Sequence, residues 1–217
     1  MERALTLYQT TIGKKAVVAL TGVILVGFVV GHMLGNMNAY AGEEAFNGYA
    51  AALREVPALL WGARLLLLIA FPLHIYTAIS LARLNRSARP QRYARKVDLV
   101  TSQPAKWMPY TGLILLAYLL FHLAHLTFGW AGPFNPENPF DTFVRGFQDP
   151  AISAAYIVGN LALGLHLFHG VWSMFQSLGA SHPKYDRFRT DLAVFLSAII
   201  TVGNLSFPIA VMFGFIQ

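Results

Sequence analysis

Seven histidines stand in the chain. Six of them, His32, His74, His122, His125, His166 and His169, lie within long apolar runs, and only His182 sits in a polar connection. There is no cysteine, so iron–sulfur clusters, thioether-linked haem, thiolate metal sites and disulfides are excluded. No Asp or Glu falls near the middle of an apolar run. That weighs against a zinc site completed by carboxylates and against a transporter or proton relay built on intramembrane acids. Neutral imidazoles facing one another across helices suit bis-histidine ligation of a haem iron, with the flat porphyrin held between the helices. With both axial positions filled, oxygen has no ready place to coordinate, and the expected chemistry is electron transfer.

The elements that must position these histidines are written in the hydropathy. Of 217 residues, 56% are hydrophobic and 12% charged, and the mean hydropathy is +0.51, the composition of a membrane protein. Five apolar runs, approximately 15–37, 58–83, 106–128, 151–178 and 191–215, are each long enough to cross a hydrocarbon core of about 30 Å as a helix. The expected fold is therefore an all-α integral membrane protein of five transmembrane helices. Its first four helices form the histidine-bearing bundle, and residues 1–217 make a single domain. Pro72 and Pro208 fall inside the second and fifth runs and predict kinks that a bundle tolerates. A cleavable leader ending at Ala39-Tyr40-Ala41 is the weaker reading of the first run, which is longer than a signal core. No internal repeat stands out. The net charge of +6 does not indicate a nucleic-acid partner, because no basic surface interleaved with aromatics remains once the apolar runs are set aside.

Lys and Arg are unevenly placed. Arg3, Lys14 and Lys15 precede the first run. Arg83, Arg86, Arg89, Arg92, Arg95, Lys96 and Lys106 fill the connection between the second and third, and Lys184, Arg187 and Arg189 lie before the fifth. The opposite connections carry Glu43, Glu44, Glu55, Glu137, Asp141 and Asp149 against Arg54, Arg64 and Arg145. The positive-inside rule then puts the amino terminus inside and the carboxyl terminus outside. Counting from the inner end of each run, the helical rise places His32 at about 25 Å and His122 at about 24 Å, with His74 at about 14 Å and His166 at about 18 Å. Two layers, outer and inner, imply two b-type haems. His125, at about 28 Å, fits the outer layer less well than His122, whereas depth does not separate His166 from His169 at about 14 Å. Gly27, Gly31 and Gly35 on the first run, and Gly159 and Gly164 on the fourth, suit either a porphyrin face or close helix packing.

The strings "GHMLGN", "GEEAFN", "FPLHIYTAI", "GLILLAYLLFH" and "YIVGNLALGLHLFHGVWS", with a histidine on each of the first four helices, resemble the diheme cytochrome b membrane-anchor subunit of succinate:quinone oxidoreductases, the succinate dehydrogenases and fumarate reductases. The resemblance runs along essentially the whole chain. It implies that His32, His74, His122 and His166 are the axial ligands of the haem irons, paired as His32/His122 in the outer haem and His74/His166 in the inner. His125 and His169 become secondary neighbours of a haem or a quinone. It further implies two haem b groups, a flavoprotein subunit and an iron–sulfur subunit docked on the cytoplasmic side, a membrane quinone of the menaquinone type, lipid around the bundle, and a place in the cell inner membrane. The docking surface would be the amino-terminal segment, the basic loop around Arg83 to Lys96 and the "HPKYDRFR" loop. Where some diheme relatives carry an acid two positions before the fourth-helix ligand, this chain has Gly164, which puts that proton route in doubt.

A quinone site needs polar donors near a haem edge and a way for protons to reach water. Glu43, Glu44, Asn47 and Glu55 are the outer candidates, and Ser80, Arg83, Trp172 and Gln176 the inner ones. Each of the outer acids is equally well read as a solvated loop residue. Two competing functions remain at this level: a diheme anchor of a formate dehydrogenase or hydrogenase, from which the "GEEAFN" and "HGVWS" strings point away, and a haem-free membrane transporter.

Overall fold

The computed structural model describes residues 6–88 and 103–217. Five helices are long and apolar enough to cross a membrane: α1 (Thr11–Asn36), α3 (Pro57–Ser87), α4 (Gln103–Leu126), α6 (Pro150–Ser177) and α7 (Asp186–Met212). Each lies within a few residues of an expected run. Two shorter helices, α2 (Glu43–Glu55) and α5 (Pro139–Gln148), lie between α1 and α3 and between α4 and α6, and the hydropathy runs did not foretell them. The chain continues helically through Pro72 and Pro208. Most of the basic loop, including Arg89, Arg92, Arg95 and Lys96, lies outside the described residues, as does Arg3.

Local sequence explains the helix starts. Thr10 caps α1 by accepting from the Gly13 amide at 3.0 Å, a side-chain oxygen doing what the absent preceding turn cannot. Asn138 caps α5 and Asp149 caps α6 in the same way, each followed by proline at the first helical position, where its missing N–H costs nothing. Asp149 is the single residue between α5 and α6, so the chain turns sharply there.

The packing pairs α1 with α3 and α4 with α6, brings α1 against α6, and lays α7 along α6. Where α7 meets α6, small residues close the gap: a Cβ on Gly164 would run into the Thr201 side chain, and one on Gly159 would run into the Tyr118 ring of α4. These two glycines are helix-packing residues. Gly35 has the same use, since a Cβ there would stand 2.6 Å from the Tyr49 hydroxyl of α2.

At the end of the bundle away from the amino terminus, α5 drives Phe140, Phe143, Val144 and Phe147 into a core shared with Met33, Tyr156, Ile200, Phe207 and Val211. Its rings meet edge to face: Phe143 and Phe147 at 4.8 Å, Phe147 and Tyr156 at 4.7 Å, Phe143 and Phe207 at 5.8 Å. Such contacts add to simple area burial. The outer faces of the long helices carry exposed apolar side chains, among them Leu65, Leu68, Ile69, Leu113, Leu120, Val158, Phe195 and Val202. A bilayer accepts such a surface, and water does not.

One regularity joins the two helix pairs. Residues 21–32, TGVILVGFVVGH, and 111–122, TGLILLAYLLFH, share Thr, Gly, Ile, Leu and the closing His in register. The first string lies on α1 and the second on α4. This short internal match went unseen in the sequence because it spans a single helix rather than a repeat of domain size.

Candidate haem site

His32, His74, His122 and His166 stand on four helices at two levels; His32 is exposed and the other three are half-buried. At the far level, the His32 ring of α1 and the His122 ring of α4 stand 5.8 Å apart with their planes at 87°. Two metal–nitrogen bonds of about 2 Å, plus two half-ring widths of about 1 Å, bring the ring centres of a collinear bis-imidazole pair to about 6 Å. The observed pair is therefore spaced as two axial ligands would be. His32 also stacks on Phe28, one turn earlier, at 5.4 Å. On the same helix, Cβ atoms built on Gly27 and Gly31 would meet nothing within 4 Å.

At the level nearer the amino terminus, His74 of α3 and His166 of α6 are each held by a threonine on the partner helix of the pair. Thr21 Oγ1 lies 3.0 Å from His74 Nδ1, and Thr111 Oγ1 lies 3.2 Å from His166 Nδ1. The glycine after each threonine faces the same ring, with Cβ positions 3.6 Å from His74 Cε1 and 3.7 Å from His166 Cε1. With Nδ1 engaged, Nε2 is the nitrogen left to ligate. Among the described residues, no three His, Asp or Glu side chains gather as a metal cage; His32 and His122 meet ring to ring, while His74 and His166 each meet a threonine.

His125 and His169 take different positions from the four. His125 is wholly buried, its Nδ1 3.1 Å from the Tyr156 hydroxyl and its Nε2 without a hydrogen-bond partner. The ring is enclosed by glycine backbone: a Cβ on Gly146 would stand 2.5 Å from His125 Nε2, and one on Gly132 would stand 3.1 Å from it. The same Tyr156 hydroxyl lies 3.3 Å from His122 Nδ1. His125 thus touches the far pair through one shared tyrosine. His169 is half-buried and packs 6.2 Å from Trp172, on its own helix. Trp172 in turn lies beneath the buried Arg189 guanidinium at 4.8 Å.

The quinone candidates are scattered. Glu43 and Asn47 join one polar clasp: the Asn138 amide donates to Glu43 at 2.6 Å, the Asn47 amide donates to Asn138 at 2.8 Å, and the Phe140 N–H donates to Asn47 at 3.0 Å. Both polar ends of Asn47 are occupied in tying α2 to the start of α5. Glu44 and Glu55 are exposed on α2. At the other end, Ser80 is half-buried and Arg83 exposed on the last turns of α3, and Trp172 is half-buried. Gln176 borders a groove of 470 Å³ formed with Ile12, Lys15, Ala16, Ser177, Leu178 and Gly179. The two sets stand at opposite ends of the bundle. The residues sequence reasoning passed over are Thr21, Thr111 and Tyr156; the Thr-Gly step repeated before His32 and His122 was the available signal for the first two.

No model of a known protein family matches the chain, and no solved structure does. Among characterised proteins, it is 28% identical over 192 residues to the succinate dehydrogenase cytochrome b558 subunit of Bacillus subtilis (strain 168), a match covering 86% of this chain and 90% of the relative. With five helices able to span a bilayer and this similarity along most of both sequences, the chain is a multi-pass membrane protein whose resemblance is to the cytochrome b anchor of succinate:quinone oxidoreductase.

Proposed function

We propose that the chain is the membrane anchor of a succinate dehydrogenase or fumarate reductase, holding two b haems and exchanging electrons between an iron–sulfur subunit and quinone. The observation that carries this reading is the His32–His122 pair, facing across the bundle at 5.8 Å, in a chain similar to a succinate dehydrogenase cytochrome b subunit. A bound haem supplies one-electron transfer between the two levels of the bundle. His32 and His122 would hold the far iron, and His74 and His166 the near one. Thr21, Thr111 and Tyr156 orient three of these four rings, and Gly27 and Gly31 leave room beside His32.

The basic connections face the cytoplasm, and the flavoprotein and iron–sulfur subunits dock there. Dicarboxylate chemistry belongs to the flavoprotein, and this chain's own substrate is quinone, of the menaquinone type by the resemblance. The inner membrane is its place. Quinone is taken at one end of the bundle, either by Ser80, Arg83, Trp172 and Gln176 or by the outer acids.

A reduced-minus-oxidised spectrum of the purified complex tests the reading. A b-type α band is expected, falling by about half in His74→Ala and staying whole in His169→Ala. No α band in the wild-type protein would sink the haem assignment. Co-purification of a flavin-bearing subunit is expected, and a molybdenum or nickel subunit in its place would move the anchor to a formate dehydrogenase or hydrogenase.

A further inference from the structure

We propose that Thr21 and Thr111 are positioning residues that fix the tautomer of the near histidine pair, so that His74 and His166 each present an unprotonated Nε2 to iron. The inference rests on the haem reading above and follows from counting protons. A threonine hydroxyl has one hydrogen to give and lone pairs to receive. Thr21 Oγ1 gives its hydrogen back to its own helix, at 2.7 Å from the Val17 carbonyl and 3.1 Å from that of Val18. Carbonyl oxygens only accept, so the hydroxyl proton is committed there. What Thr21 offers His74 at 3.0 Å is then a lone pair, and Nδ1 must carry the hydrogen. A neutral imidazole has one N–H, which leaves Nε2 bare.

Thr111 repeats the arrangement. Its hydroxyl lies 3.1 Å from the Trp107 carbonyl and 3.2 Å from that of Met108, and it receives His166 Nδ1–H at 3.2 Å. Both threonines are buried, so water does not compete for either proton. Each stands eleven residues before the far-level histidine of its own helix, in the shared string of residues 21–32 and 111–122. One Thr-Gly step on each helix therefore serves the near histidine of the neighbouring helix, while the same helix contributes its own far histidine. The carbonyl-to-hydroxyl-to-imidazole chain is polarised in one direction. It makes each imidazole a stronger donor, which favours the oxidised iron and lowers the potential of the near haem.

Redox titration of the haems in the purified complex, with no turnover, reads this out. Thr21→Val and Thr111→Val remove the acceptor while keeping the shape. Each is expected either to raise the near-haem midpoint, with the oxidised-to-reduced ratio changing on the order of tenfold, about 59 mV for one electron, or to lose that haem. Thr21→Ser and Thr111→Ser keep the hydroxyl and are expected to behave as wild type, and the far haem is expected to stay unmoved throughout. A near-haem potential unchanged in both valine variants would overturn the proposal, as would serine variants as impaired as the valine ones. A wild-type preparation without haem is a separate result, which removes the haem reading itself.

Discussion

At the scale of single residues, helical glycines do opposite things: some close a packing gap and others face open space. Gly146 lies against a fully buried His125 that is tethered to Tyr156, so an added methyl has nowhere to go. Gly146→Ala is expected to destabilise the helical fold by about 1–3 kcal/mol, the usual cost of overpacking, measured as earlier loss of helical signal on denaturation in detergent. Gly27 faces open space, and alanine is the better helix former by roughly 0.5–1 kcal/mol. If that open space receives a porphyrin, Gly27→Ala is expected to leave the fold as stable or slightly more so while lowering haem per chain. A stable variant with full haem content would remove Gly27 from the porphyrin face. In the sequence, Gly27, Gly35, Gly159 and Gly164 were indistinguishable. Each is small in an apolar run, and only the neighbour across the gap gives it a meaning.

At the scale of elements, the five spans were legible because long apolar runs have one physical solution in a bilayer, a helix with its backbone bonds closed within itself. The two short helices were not. α2 begins Glu-Glu-Ala-Phe-Asn and buries no residue completely, so in hydropathy it resembles a loop. α5 did carry a signal: Phe140, Phe143, Val144 and Phe147 recur at helical spacing, but over ten residues, too few to register beside runs of twenty. These two helices meet through Asn138, which caps α5, donates to Glu43 and accepts from Asn47. Asn138→Ala removes the cap and leaves Asn47 with an unanswered donor, a loss of about 1–2 kcal/mol for the cap alone. Faster hydrogen exchange in α2 and at the start of α5, with α6 and α7 unchanged, is the expected readout. Uniform exchange across all four would show the clasp to be dispensable.

At the scale of the whole molecule, helical rise puts His32 and His122 level, and their rings stand 5.8 Å apart. Depth could not choose between His166 and His169. Their surroundings differ: His166 reaches Thr111 on another helix, and His169 turns to Trp172 on its own. The orientation proposed from charge is directly testable, because the sequence holds no cysteine. In a chain with no other thiol, Glu137→Cys is expected to react with an impermeant maleimide on intact cells, and Lys184→Cys only after permeabilisation; both residues are exposed. The reverse pattern would invert the bundle and move the docking face to the other side.

The clasp at Asn138 also sets a schedule for biogenesis. Its partners Asn47 and Glu43 lie 91 and 95 residues earlier, so it closes only after α4 has been threaded through the bilayer and the following loop has emerged. Contacts of such long sequence separation form late because loop closure must precede them. With three spans made and Asn138 still to emerge, the far end of the bundle lacks the contact that ties α2 to α5.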